Sequence, residues 1–268
     1  EFLHFALLRY LMGYKLVLSL HGGDVKGIDN YQKEVLSFCL RFTDRVTTVS
    51  ELLKEELLGK VEYDPERVTV VHNGFDASIW NSKAEVSRRK KHLVSVGSLR
   101  HVKGHDVLIR AFAEVKRKHP EASMTIIGEG GKRKEYESLI ASLGLDDHVH
   151  LTGWLSQEKV KEELDTASVF VFPSRSEGFG IALLEAMASG LPIIASRVGG
   201  IPEVVAGTDA LLVPPDDPAV LASVLSDKLS DKTWQKKSRR SSRQRAQEFS
   251  WEKATEKYKA VFNDLISK

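Results

Sequence analysis

Cysteine is almost missing from this sequence: Cys39 is the only one in 268 residues. A disulfide framework is therefore excluded and a reducing compartment fits. Set in the apolar stretch Val35-Leu-Ser-Phe-Cys-Leu40, the thiol is expected to be a packed core group. Long hydrophobic runs are missing too. None approaches the ~18 to 20 residues of a membrane span, and no charged segment with a cleavage site opens the chain, so the expectation is a soluble, cytoplasmic protein. Charge of one sign is not in excess: 39 Lys and Arg face 37 Asp and Glu, a net charge of +2. Nucleic acid is thus not expected as a partner. Asp-x-Asp triplets are absent, which argues against a diphosphate bridged to such a triplet by a metal, and no metal is expected. The stretch Gly128-Glu-Gly-Gly-Lys-Arg133 fails the dinucleotide pattern G-x-G-x-x-G at its last position, and there is no Walker loop. A starting methionine is lacking as well. The text opens at Glu1 inside an apolar helical pattern (Phe2, Phe5, Leu7, Leu8, Leu11), as expected of a chain whose beginning is missing.

What the sequence has is a steady alternation of short apolar runs with amphipathic helical stretches, the pattern of parallel sheets covered on both faces. The fold class is α/β, and the length suits two modest lobes. In the first part, strands are expected at 15–20, 45–49 and 68–71, with helices near the start, at 31–42 and at 50–58. Ser50 before Glu51 reads as an N-cap with an acidic first turn. From 76 to 92 the text turns polar and basic, the composition of an interdomain linker. A second series follows, with strands at 92–96, 123–127, 149–151, 169–172, 192–195 and 210–213. Helices are expected between and after them at 105–117, 132–143, 157–166, 181–189, 201–205 and 218–229. Six strands with interleaved helices make a complete doubly wound domain. Asp217-Pro218 supplies a cap and a first-turn proline, and Gly190 a left-handed helix stop. The tail spaces Trp251, Tyr258, Phe262 and Leu265 at helical intervals.

The chemistry concentrates after the strand at 169–172. Glu177 and Glu185 are separated by seven residues, over which the text passes from loop to helix. Gly178 and Gly180 let the backbone approach a ligand closely, and the amides of 179–183, Phe179 and Ile181 among them, are the open donors of a helix N-terminus. That suits a pyrophosphate. Glu177 can accept hydrogen bonds from sugar hydroxyls, and Glu185, two turns on at ~1.5 Å per residue, can reach a ribose. A glycine-rich turn alone is better explained by tight packing; the paired acids shift the balance. Arg100 and Lys103, in Val96-Gly-Ser-Leu-Arg-His-Val-Lys-Gly-His-Asp106, can neutralise a diphosphate leaving group.

The segment Pro173-Ser-Arg-Ser-Glu-Gly-Phe-Gly-Ile-Ala-Leu-Leu-Glu-Ala-Met-Ala-Ser-Gly190, continued through Val198-Gly-Gly-Ile-Pro-Glu-Val-Val205, resembles the E-x7-E signature of glycosyltransferase family 4. The resemblance implies the GT-B fold, with two Rossmann-like domains of which the N-terminal one is partial. Its domains would be an acceptor-side domain over 1–84, a nucleotide-sugar-binding domain over 85–248, and a C-terminal helix over 249–268 packing back on the first. It implies a retaining glycosyltransferase that moves a hexosyl group from a donor such as a UDP- or GDP-hexose to an acceptor hydroxyl; no residue is an obvious covalent nucleophile, so front-face attack is expected. Glu177, His21, Lys103 and Arg100 would be the catalytic residues. Gly97, Ser98, Gly178, Phe179, Gly180, Ile181 and Glu185 would bind the donor. Ser98 stands where many relatives carry Arg; Lys103 matches the pattern in place, and Arg100 fits a variant form. His21, in Ser19-Leu-His-Gly-Gly-Asp24 at a strand end, would reach the donor sugar. The loop of His148-Val-His-Leu-Thr-Gly-Trp154 would lie by the nucleotide base. Val70-Val-His-Asn-Gly-Phe-Asp76 resembles a family element ahead of the linker, with His72 in place of Pro and a turn at Asn73-Gly74.

Two other classes stay open. An epimerase or phosphorylase of the same architecture would be separated by product analysis. A non-catalytic nucleotide-binding remnant is suggested by the short first lobe, and the upstream reading frame would decide it. The basic stretches 88–92 and 236–245 are expected to be solvated linker and helix faces, the alternative being peripheral contact with an anionic membrane.

Overall fold

The computed structural model describes residues 2–80 and 88–267. The expected domain boundary at 84/85 and the linker stretch 81–87 lie outside the described residues. The chain divides into two compact units. Unit 1 comprises Glu1–Gly74, Glu177–Phe179 and Phe249–Lys268; unit 2 comprises Phe75–Ser176 and Gly180–Glu248.

Strands in unit 1 form where β-branched and apolar residues run too briefly for a helix. Helix α1 (Phe2–Met12) precedes β1 (Val17–Leu20), α2 (Asn30–Arg41), β2 (Arg45–Thr48), α3 (Glu51–Lys60) and β3 (Val68–Val70). The three strands are parallel in the order β1-β2-β3, with Val17 opposite Arg45 and Val46 opposite Val68. Capping fixes the helix starts. Asp29 and Gln32 form a reciprocal capping box on α2, and the Ser50 side chain accepts from the Leu53 amide on α3, as its sequence suggested. Leu20, Val46, Leu53 and Leu57 are fully buried beneath the helices. Cys39 is buried in the same core, and burial raises its thiol pKa.

Unit 2 contains α4 (Ala77–Trp80), β4 (His92–Val96), α5 (His105–Lys118), β5 (Ser123–Ile127), α6 (Arg133–Ser142), β6 (Val149–Leu151), α7 (Gln157–Thr166) and β7 (Val169–Phe172). It continues with α8 (Ile181–Ala188), β8 (Ile193–Ser196), α9 (Ile201–Val204), β9 (Leu211–Val213), α10 (Pro218–Lys228) and α11 (Lys232–Ala246). All six strands are parallel, in the order β6-β5-β4-β7-β8-β9. This is the doubly wound arrangement, and the strand order reverses between β4 and β7. Every residue of β7 is buried, because a central parallel strand is covered on both faces. Leu93, Leu108, Phe112, Met124 and Ile126 are fully buried in the core, each such side chain stabilising by roughly 1.5 to 3 kcal/mol. Helix ends differ from expectation by a residue or two, as fraying ends do.

In the basic stretch after 87, Arg89 and Lys90 are exposed as expected of a solvated linker, but Arg88 departs from it. Arg88 is half-buried and donates to the Leu164 and Ala167 carbonyls at the end of α7 (3.2 and 3.0 Å) and to those of Ser189 and Gly190 after α8 (2.9 and 3.4 Å). Helix C-termini leave carbonyls unpaired and carry partial negative charge, so one guanidinium satisfies two ends. Burial, then the charges of Arg239 and Arg243, push its pKa down to about 10, which still leaves it charged at neutral pH. Helix α11 was not anticipated. Asp231 caps it by accepting from the Trp234 amide (2.9 Å), and its inward face is Trp234, Gln235, Ser238, Ser242 and Ala246, which leaves almost no apolar periodicity to read.

The last helix, α12 (Trp251–Ile266), belongs to unit 1. The Tyr258 hydroxyl lies 3.1 Å from the Ser19 hydroxyl of β1, and Arg45 pairs with Asp264. A Cβ at Gly74 would sit 2.5 Å from the Trp251 amide, so the Asn73-Gly74 turn packs directly on the start of α12. The expected apolar face is corrected. Ala254, Val261 and Leu265 are buried, whereas Trp251 and Phe262 are about half exposed, at 47% and 46%.

Candidate functional site

In unit 2, the loops after β4 and β7 leave the carboxyl edge of the sheet where the strand order reverses, the place where doubly wound sheets bind ligands. The loop after β7 leads to α8, whose N-cap Gly180 has φ +99° and makes no side-chain capping hydrogen bond. The helix N-terminus is thus left without a side-chain cap, as an anion site requires. One expectation is corrected: the Leu183 amide donates to the Gly180 carbonyl at 3.0 Å, because the first turn closes on itself. It drops out of the open set. Ile181 is exposed at 43%, on the rim of that first turn.

Glu185 lies just over one turn into α8 and is half-buried. Burial alone pushes its carboxyl up to about 7, so the group titrates near neutrality. In the loop after β4, the Gly97 amide donates to the Ile127 carbonyl at 2.9 Å, and a Cβ at Gly128 would fall 2.1 Å from the Gly97 carbonyl. This glycine is what lets β4 and β5 close together at the sheet edge. Ser98 accepts from Arg100 Nε at 3.2 Å, which ties the exposed Arg100 back onto its own loop. Lys103 ends the 3-10 turn His101–Lys103 and carries its Nζ 5.7 Å from the centre of the Phe172 ring, a cation–π contact at the end of β7.

Sequence reasoning missed the residues that hold these loops. His105, buried at the start of α5, has its Nε2 3.2 Å from the Gly97 carbonyl. Burial pushes its pKa down to about 4, so the neutral ring donates there. Arg175 pairs with Asp106 and Asp216. The available signal was an arginine two positions before Glu177 and an Asp three after Lys103, neither distinctive in a chain so mixed in charge.

In unit 1, His21 follows β1 on an exposed turn. Its Nε2 is 3.2 Å from the Ser19 hydroxyl, which accepts from Thr47 at 2.9 Å, and its backbone amide donates to Asp24 at 3.0 Å. Glu177–Phe179 is seated beside this turn. Lys26 donates to the Glu177 carbonyl at 3.0 Å and Ser50 to the Gly178 carbonyl at 3.1 Å. A Cβ at Gly178 would lie 2.4 Å from the His21 carbonyl, so only glycine permits this approach. The Phe179 ring is buried, stacked on His72 at 5.4 Å and edge-on to Phe249 at 5.6 Å. That leaves its backbone, not its ring, to face a ligand. Unit 1 therefore groups His21, Glu177, Gly178 and Phe179. Unit 2 groups Gly97, Ser98, Arg100, Lys103, Gly180, Ile181 and Glu185.

Among the described residues there is no group of three or more His, Cys, Asp or Glu side chains that could hold a metal. No helix among them is long and apolar enough to cross a membrane.

A parallel sheet that reverses order beside a glycine-opened helix, with an acid just over one turn along that helix, defines a Rossmann-like doubly wound domain. The chain belongs to the Glycosyl transferases group 1 family, whose model matches residues 78–249, more than half of it. The Glycosyltransferase Family 4 model matches residues 1–79, in line with the motif resemblance. Relatives include a phosphatidylinositol N-acetylglucosaminyltransferase subunit of Arabidopsis thaliana, 32% identical over 210 residues (76% of this chain, 46% of the relative). A D-inositol 3-phosphate glycosyltransferase of Corynebacterium kroppenstedtii is 29% identical over 244 residues (84% of this chain, 54% of the relative). The chain spans about half the length of these curated relatives. Among solved structures, Anabaena HepE in complex with UDP and glucose superposes with a TM-score of 0.87 at 20% identity, over 98% of this chain and 75% of that one. Sucrose-phosphate synthase from Thermosynechococcus elongatus also gives 0.87, at 24% identity, over 97% and 70%. The fold is GT-B-like, α/β with two Rossmann-like lobes.

Proposed function

We propose that this chain is a retaining glycosyltransferase that moves a hexosyl group from a nucleoside diphosphate sugar, UDP-hexose first among candidates, to an acceptor hydroxyl. The observation that carries the reading is the N-terminus of α8: glycine at its N-cap, no side-chain cap, and Glu185 five residues on. The diphosphate sits on the first-turn amides, Lys103 and Arg100 offset the charge that grows on it as the glycosidic bond breaks, and Glu185 accepts from the ribose. Glu177 and His21 hold the sugar. Gly97, Ser98 and Gly178 keep backbone close to the donor, with the Phe179 and Gly180 amides and Ile181 at the helix entrance. The leaving diphosphate takes the acceptor proton. In this reading residues 85–248 bind the donor, and 1–84 together with 249–268 serve the acceptor side. UDP is favoured because the HepE structure holds UDP and glucose. The names of both curated relatives above carry inositol, which makes an inositol-bearing acceptor the first to try.

A thermal-shift series with UDP, GDP and ADP tests the reading, since a ligand at 100 times its dissociation constant adds about 2.7 kcal/mol of stability. One nucleotide should raise the midpoint clearly, and its hexose donor should then be consumed in the presence of D-inositol 3-phosphate or another acceptor. A flat response to all of them would overturn the proposal.

A further inference from the structure

Arg175 lies in the loop after β7, two residues before Glu177, and a basic side chain so placed invites the role of phosphate ligand. Its geometry says otherwise. Nη1 donates to the Asp106 carboxylate at 2.8 Å and to the His101 carbonyl at 2.6 Å, Nη2 to the other Asp106 oxygen at 2.7 Å, and Nε to Asp216 at 2.6 Å. A guanidinium has five N–H donors, and these contacts direct four of them to protein. The main chain makes the same connection: the Arg175 amide donates to the Val102 carbonyl at 2.8 Å. One residue past Lys103, a Cβ on Gly104 would stand 2.1 Å from the Pro173 carbonyl, and Gly104 has φ +65°, so this backbone approach requires glycine.

These contacts join the two loops that diverge where the strand order reverses. On one side are His101, Val102, Gly104 and Asp106, which flank Lys103; on the other is the loop that runs into the N-terminus of α8. The fork-to-carboxylate pair is largely shielded, with side chains 14% exposed for Arg175 and 23% for Asp106. Arg175 holds the Asp106 carboxyl below the ordinary carboxylate range, and Asp106 also lies in the first turn of α5, where negative charge is favoured. The backbone contacts bring the two loops together, the fork adds a shielded side-chain tie between them, and a cation meant to meet a diphosphate must be held to within a fraction of an ångström.

We infer that Arg175 is a positioning residue: paired with Asp106, it latches the Lys103 loop to the entrance of α8 without touching the donor. The inference rests on the proposed donor role of Lys103 for its consequence, but not for the latch itself, and the two are tested separately. Hydrogen exchange needs no ligand. In Arg175→Met, the Lys103 and Gly104 amides, which bond to the Arg100 and His101 carbonyls, should exchange about tenfold faster or more while β5 amides are unchanged. Arg175→Lys, which keeps the charge but not the fork, should not restore slow exchange; Asp106→Asn should reproduce the effect if Arg175→Met folds poorly. Unaltered exchange at 103 and 104, equal acceleration throughout β5, or full rescue by lysine overturns the latch. With UDP as probe in calorimetry, Arg175→Met and Lys103→Ala should each weaken binding about tenfold, and the double variant no more than Lys103→Ala alone. Additive losses would mean that Arg175 does not act through Lys103 and would overturn the inference. If the parent chain binds no UDP, GDP or ADP, the functional reading falls while the exchange result still decides the latch.

Discussion

Glu185 is a carboxyl whose protonation changes over the range in which enzymes are usually assayed. With nothing but burial acting on it, its pKa rises to about 7 in the folded chain. The folded value lies above the unfolded one, so the contribution of this group to stability is fully present below pH 4.5 and is lost as pH rises through about 7. Ligand binding should run the opposite way. Ribose hydroxyls donate to a carboxylate, so affinity for UDP-glucose, whose diphosphate does not titrate there, should climb several-fold between about pH 6 and about pH 8. Glu185→Gln should flatten both dependences, and calorimetry across that range checks it. An affinity in the parent chain that ignores pH would take Glu185 out of the ribose contact. The acid pair itself was legible in the sequence because it sits at a loop-to-helix change beside two glycines. Its elevated pKa was not, since that depends on how much of α8 is covered by neighbours distant in sequence.

At the scale of elements, the most consequential surprise lies in the residues that end helices. Arg88 closes the C-termini of both α7 and α8, and α8 is the helix whose other end is proposed to hold the diphosphate. Replacing it by methionine keeps the apolar stem and removes the fork, stranding buried carbonyls. Arg88→Met should therefore cost about 2 to 4 kcal/mol in urea unfolding, and a change below about 0.5 kcal/mol would mean that water replaces it at no loss. Nothing in the Arg88-Arg-Lys-Lys-His92 stretch distinguishes the first arginine from its neighbours, because the partners it finds lie 76 to 102 residues further along. Helix α11 went unseen for a related reason. Its inward face carries small serines, Ser238 and Ser242, their hydroxyls buried without hydrogen-bond partners, rather than an apolar stripe, and periodicity arguments have no purchase on serine.

The whole molecule divides into two compact units, each with its own sheet, and a chain with two domains need not unfold in a single two-state transition. Trp251 belongs to unit 1, whereas Trp80, Trp154 and Trp234 belong to unit 2. A Trp251→Phe variant should therefore report by fluorescence on unit 2 alone. In scanning calorimetry UDP should raise the transition that this variant still reports, because the phosphate and ribose contacts proposed above come from unit 2. A shift confined to the other transition would contradict that assignment.

Taken by itself, the sequence determined the α/β class, the strand count of each unit and the place of the paired acids. Those features are written in local periodicity, in glycines at turns, and in caps such as Ser50 and Asp217 whose hydrogen bonds span only three residues. Tertiary structure alone decided which charges are buried and paired. Arg175 finding Asp106, Arg88 finding two helix ends and Phe179 stacking on His72 join residues 69 to 107 positions apart. Whether a charged or aromatic side chain stays in water or is drawn inward depends on the partners that folding supplies, and no local stretch of sequence contains them.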